Sequence, residues 1–314
     1  MHETTRRTFL RSSAAAAALA VVPTIGAADR VWLDVETPVG STLYDVETTV
    51  GGEFAVGGSG YVLKRADDGW RIAASGGPTG NGNNLYGSDV TDDGERLWFV
   101  GSSGAIGEYD VRTRGLNDHS APNDVTNNFN DVAVTGEAGD ANVYVAGDSG
   151  KIYYSFENGE TGTWNSVTPG SGSNINGVDF HGPRSGHAVD GNKTVFVTDD
   201  GSTWEKVGIA DANNNFYGVD SDAPDDLTVV GGGGTVYHWD GAEWVREDTG
   251  DASLRDVEMD GETGLAVGGG GVVFRRDAEG WTQEATPSGS NLKAVVDTDG
   301  LEVAVGASAT VLER

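Results

Sequence analysis

The sequence predicts an all-β fold, a seven-bladed β-propeller whose last blade is completed by the N-terminal strand. Three observations carry this. A pattern of short apolar runs recurs seven times, Gly and Asp turns separate the runs, and the two ends of the chain hold complementary fragments of one repeat.

The first run of each repeat reads Leu43-Tyr44-Asp45-Val46, Leu85-Tyr86-Gly87-Ser88, Phe129-Asn130-Asp131-Val132, Ile175-Asn176-Gly177-Val178, Phe216-Tyr217-Gly218-Val219, Leu254-Arg255-Asp256-Val257 and Leu292-Lys293-Ala294-Val295. Successive copies are 42, 44, 46, 41, 38 and 38 residues apart, and five of the seven have Asn just before the apolar lead. A second run follows in each, of the type Ala55-Val56-Gly57 or Ala266-Val267-Gly268. A third run comes next, led by pairs such as Val62-Leu63 and Val273-Phe274. A Gly turn and usually a Trp close the unit: Trp70, Trp164, Trp204, Trp244 and Trp281, with Leu116 in the second repeat. Runs this short, apolar on consecutive positions and bounded by turn residues, suit strands buried on both faces. Sheets stacked around an axis bury both faces. The small Ala-Val-Gly run suits crowding near the axis, and its Gly is expected to take positive φ in a tight turn. The Trp is expected to plug the gap between blades.

The last repeat ends at Arg314 after its third run, without a Trp strand, and Val31-Trp32-Leu33-Asp34-Val35 is a Trp strand without a repeat. Joining the two completes the seventh blade and removes an exposed sheet edge.

Residues 1–28 read as a signal peptide and 29–314 as the propeller. Thr5-Arg6-Arg7-Thr8-Phe9-Leu10-Arg11 is a twin-arginine motif, followed by an apolar run from Ala14 to Val22 and small residues Gly26-Ala27-Ala28. That run is too short to span about 30 Å of hydrocarbon. Export by the twin-arginine route to the cell surface or medium is expected, with no membrane insertion. The chain has no Cys, so disulfides do not staple it; about 285 residues suffice for one core.

The net charge is −29, with five Lys at 64, 151, 193, 206 and 293. Such a surface lacks the basic footprint that nucleic acid requires. It resembles the acidic, Lys-poor surfaces of proteins from salt-loving archaea, where salt screens self-repulsion.

Taken together, Leu-x-x-Val, Ala-Val-Gly-x-x-Gly-x-Val and Asp-Gly-x-x-Trp resemble the bacterial-neuraminidase-type propeller repeat, closest to the variety in photosystem II stability and assembly factors. The resemblance covers residues 31–314. Its best single match, Val197-Thr198-Asp199-Asp200-Gly201-Ser202-Thr203-Trp204, is similar to an Asp-box, with Val197 where Ser or Thr is usual. The Asp of that motif ties down a hairpin, so the resemblance implies fold rather than chemistry. The assembly-factor relatives carry a basic patch for their partner; no matching Arg cluster stands here.

A sialidase-like glycoside hydrolase is the enzymatic alternative. It needs an Arg cluster, a Tyr nucleophile with a Glu partner and an Asp acid/base. Glu108-Tyr109 is the one Glu-Tyr pair, on a third strand, and the arginines scatter to outer positions apart from Arg255. No catalytic residue is assigned. His181 and His187 flank one turn without zinc spacing, and the acidic turns match no calcium loop, so neither metal nor cofactor is expected. The candidate ligand-binding residues are those directly after each inner-strand lead: Tyr44, Tyr86, Asn130, Asn176, Tyr217, Arg255 and Lys293. They are expected to encircle one mouth of the channel, with the Asn-rich loops 81–84, 123–128 and 213–215 on the same rim. The mixture of aromatic, amide and cationic groups suits a binding site. The expected function is a monomeric, non-enzymatic platform for a protein or glycan partner.

Overall fold

The computed structural model describes residues 30–298 and 300–314, so the expected signal peptide lies outside the described residues. Its 28 strands, β1 to β28 in chain order, form seven four-stranded antiparallel sheets. Seven inner strands stand around the axis: β2 (Leu43–Thr49), β6 (Leu85–Val90), β10 (Phe129–Thr135), β14 (Ile175–Phe180), β18 (Phe216–Ala223), β22 (Leu254–Asp260) and β26 (Leu292–Thr298). Each begins a blade that runs outward, in the first case in the order β2-β3-β4-β5.

The last blade is ordered β1-β28-β27-β26. Strand β1 (Leu33–Asp34) pairs antiparallel with β28 (Val311–Glu313), Leu33 opposite Glu313 and Asp34 opposite Leu312. The chain thus closes the ring with its own ends, as the orphan Trp strand predicts. Trp32 is 3 % exposed while Val31 and Leu33 face solvent, the alternation of a one-sided edge strand. Its indole packs on Leu265, Val267 and Val273 of the sixth blade and on Leu292, Val295 and Leu312 of the seventh, and Trp32 Nε1 donates to Glu284 Oε2 at 2.6 Å. Beside it, Arg275 and Arg314 share Glu284 and Glu302. Across the next junction Trp70 Nε1 and Arg65 Nε both donate to Glu313 Oε1 at 2.9 Å.

The core lies in the wedges between blades. Trp70 packs with Leu43 and Leu63 of its own blade and Val303 and Val311 of the seventh, as expected of an inter-blade plug.

The glycine of the Ala-Val-Gly run differs from expectation. Gly57 has φ −167°, ordinary extended backbone. A Cβ there would stand 2.5 Å from Thr42 O, and at Gly101 closer still to Asn84 O. Close approach of the neighbouring chain, not a left-handed turn, excludes a side chain. Positive φ falls two residues later, at Ser59 (φ 62°), Ser103 (φ 58°), Ser149 (φ 64°) and Ser308 (φ 57°).

Candidate functional site

The inner strands bring the seven candidate residues to one end of the axis, and a shared backbone irregularity presents them. In every blade the pairing register slips by one residue at the start of the inner strand: Leu43 pairs with Gly57 but Asp45 with Val56, and Phe216 with Gly231 but Gly218 with Val230. The skipped residues are Tyr44, Tyr86, Asn130, Asn176, Tyr217, Arg255 and Lys293. A bulge re-aims the side chain of its extra residue. Here seven bulges stand at one level, at the starts of the inner strands, and all seven side chains are half-buried.

Contacts run from blade to blade around this ring. Tyr44 and Tyr86 meet edge to face with centroids 5.0 Å apart. The Arg255 guanidinium lies 4.1 Å over the Tyr217 ring. Burial, and then the charge of Arg255, hold the Lys293 ammonium below its ordinary range. Asn130 Nδ2 donates to Ile175 O at 2.9 Å, and Asn176 Nδ2 to Phe216 O at 2.7 Å. The two amides therefore tie their blades to the next, which leaves three Tyr, one Arg and one Lys as an open arc over blades five, six, seven, one and two.

Asn residues ahead of three of the inner strands also hold structure. Asn84 Oδ1 accepts from Ser59 N, Asn128 Oδ1 from Ser103 N, and Asn174 Oδ1 from Ser149 N, at 3.1 to 3.2 Å. Each caps the strained Ser turn of the preceding blade, which is why Asn recurs there.

Below the mouth the axis narrows to a cavity of about 60 Å³ lined by all seven inner strands, with Asp45, Asp89, Asp131, Asp179 and Asp256 on its wall. Sequence reasoning missed what these carboxylates do. Asp45 Oδ2 accepts from Ser88 N, Asp131 Oδ2 from Val178 N and Asp256 Oδ2 from Val295 N. Two residues further along, Asp89 Oδ2 accepts from Val134 N, Asp179 Oδ2 from Ser221 N and Asp220 Oδ2 from Met259 N. Each of the first six blades thus latches a backbone amide of the next through one Asp. The recurrence of Asp at either of two positions in the inner run was the available signal. Confinement has an electrostatic cost: burial and then the charge of Asp256 push Asp45 up to about 8, and burial with Asp45 pushes Asp131 well up.

At the opposite rim His181 and His187 both reach Ser221 Oγ through Nδ1, at 2.9 and 2.7 Å. One hydroxyl has one proton, so one imidazole accepts from it and the other donates to it. Burial, and then the charge of His181, hold His187 down at about 4. Among the described residues no group of three or more His, Cys, Asp or Glu is placed to hold a metal ion, and no helix is long and apolar enough to cross a membrane.

The Glu108-Tyr109 pair and the Asp-box carboxylate are both engaged in the fold. Tyr109 is 3 % exposed and packs against Phe54. Glu108 pairs with Arg96 and His119. The Asp200 carboxylate accepts from Ser202 N and Thr203 N and ties its hairpin turn.

No family model and no curated protein matches the chain. Solved propellers do. The chain is similar to YCF48 bound to D1 peptide, with 14% identity and TM-score 0.71 over 94% of this chain and 99% of that one. It is similar to the WD40 propeller domain of Doa1, with 13% identity and TM-score 0.72 over 90% and 94%. It is also similar to a virginiamycin B lyase from Staphylococcus aureus, with 12% identity and TM-score 0.76 over 90% and 98%. These likenesses establish the propeller fold and a resemblance to YCF48; at such identities they carry the fold alone.

Proposed function

We propose that this protein is an exported, non-enzymatic propeller whose axial mouth docks a protein partner. The arc of Tyr44, Tyr86, Tyr217, Arg255 and Lys293 carries the proposal. Its side chains are half-exposed, gathered from five blades and held on a rigid ring, and aromatic and Arg anchors of this kind dominate binding energy at interfaces. A protein is favoured over a glycan because one propeller of similar fold is described as bound to a peptide. We further propose twin-arginine export to the cell surface or medium, and a monomer adapted to high salt. The proposal includes no nucleic-acid partner, since the net charge is −29.

The test is capture. The double variant Tyr44→Ala, Tyr217→Ala removes two half-buried bulge side chains that lie outside the buried core. It is expected to melt close to the parent. Partner recovery from native membranes and culture fluid at high salt is expected to fall about tenfold or more, the loss typical of aromatic anchors. Unchanged recovery would remove the ring from the account. Recovery of glycan in place of protein would redirect it.

A further inference from the structure

Several arginines of this protein are held by carboxylates. Arg65 has Glu313, Arg96 has Asp110, and Arg275 and Arg314 share Glu284 and Glu302. Arg255 and Lys293 at the mouth are placed differently, with each other as charged neighbours. The charge of Arg255 bears on Lys293, and neither stands in an ion pair among the described residues. The guanidinium plane is set by stacking on Tyr217. The next residue in the chain, Asp256, directs Oδ2 to Val295 N. Two like charges half-withdrawn from water repel each other, and an incoming anion relieves that repulsion.

We infer that Arg255 and Lys293 together receive one carboxylate, carried as an Asp or Glu side chain of a docked peptide segment. The inference rests on the reading of the mouth as a protein-docking site and specifies its chemistry. The guanidinium offers a fork of N–H donors that fits a carboxylate, and the ammonium adds a second charge from the neighbouring blade. Free phosphate would meet the two charges but offers nothing to the Tyr rings, which a peptide segment does. The arc continues past Lys293 to the Tyr44–Tyr86 pair, an extended track that suits a chain segment more than a compact sugar acid.

Ligand-observed NMR at high salt tests this with acetyl-Gly-Tyr-Glu-Gly-amide, its Gln counterpart, glucuronate and inorganic phosphate. The Glu peptide is expected to bind about tenfold tighter than the Gln peptide, the worth of a charge-assisted pair. Glucuronate and phosphate are expected to bind more weakly than either peptide's shared aromatic contact allows the Glu form to bind. In the variant Arg255→Met, Lys293→Met, which removes a repulsive pair and is expected to melt no lower than the parent, the Glu preference is expected to vanish. Equal binding of the two peptides, glucuronate or phosphate matching the Glu peptide, no measurable binding of the Glu peptide, or a Glu preference that survives in the variant each overturns the carboxylate assignment. Should partner capture still be lost in the Tyr44→Ala, Tyr217→Ala protein in those cases, docking at the mouth stands and only its chemistry falls.

Discussion

Cutting the chain after Val35 is expected to open the ring and cost more stability than any single substitution outside the closure. The cut removes the whole of β1. It deletes the Trp32 indole from a wedge shared by blades six and seven, the bond to Glu284, the ladder to β28, and the Val35 N to Val311 O bond of 2.9 Å. Trp32→Ala alone leaves a cavity between two blades, worth about 3–5 kcal/mol by analogy with buried aromatic deletions. Urea melts of the cut protein, Trp32→Ala and the parent check this. The midpoint is expected to fall in the order parent, Trp32→Ala, cut chain, with the slope unchanged for Trp32→Ala if the transition stays two-state. Equal midpoints for cut and parent proteins would mean that the ring closes without its N-terminal strand.

The second large effect is acid destabilisation through the His181–Ser221–His187 cluster. His187 is 3 % exposed, and its folded-state value of about 4 lies below the ordinary 6.5. Below pH 6.5 the unfolded chain binds a proton that the folded protein refuses. The neutral form's contribution is therefore complete above pH 6.5 and is lost as pH falls toward 4, at about 1.4 kcal/mol per pH unit. Asp179 favours the charged imidazole and is outweighed; His181 next to it opposes the charge. Asp45, held up at about 8, gains protons on folding over part of the same range and works in the opposite sense, so the comparison must be internal. His187→Phe, matching Phe54 in the first blade, removes the titration while keeping a large side chain. The difference in stability between parent and variant is expected to shift against the parent steadily from pH 6.5 to 4. A difference independent of pH would mean that His187 titrates normally.

The repeat, the blade number and the closure were legible because each rests on local composition. Every blade repeats its own strand and turn chemistry, and Trp32 has a place in the pattern only beside Arg314. The ring of seven was legible as a position. Its cause was not: the bulge depends on register between β2 and β3, or β18 and β19, and no single strand encodes a register slip. The sorting of the ring was hidden for a related reason. Asn130 and Asn176 look like ligand-binding amides until Ile175 O and Phe216 O are seen within their reach. The Asp latches and the shared Ser221 join residues roughly one repeat apart, 34 to 47 positions along the chain. Such bonds follow from the stacking of blades and leave only a faint trace in sequence. The Ala-Val-Gly glycine was misread because absence of a side chain has two causes, left-handed backbone and a close neighbour. Only the position of Thr42 O or Asn84 O distinguishes them.

The central claim is that the bulged ring at one end of the axis is the docking surface. Hydrogen exchange on the protein alone and on the complex with its captured partner tests it most directly. Protection on binding is predicted at the starts of β2, β6, β18, β22 and β26, where Tyr44, Tyr86, Tyr217, Arg255 and Lys293 stand, and not on the opposite rim around His181 and Ser221. Protection confined to that opposite rim or to the outermost strands, with the five bulges unchanged, would contradict the account.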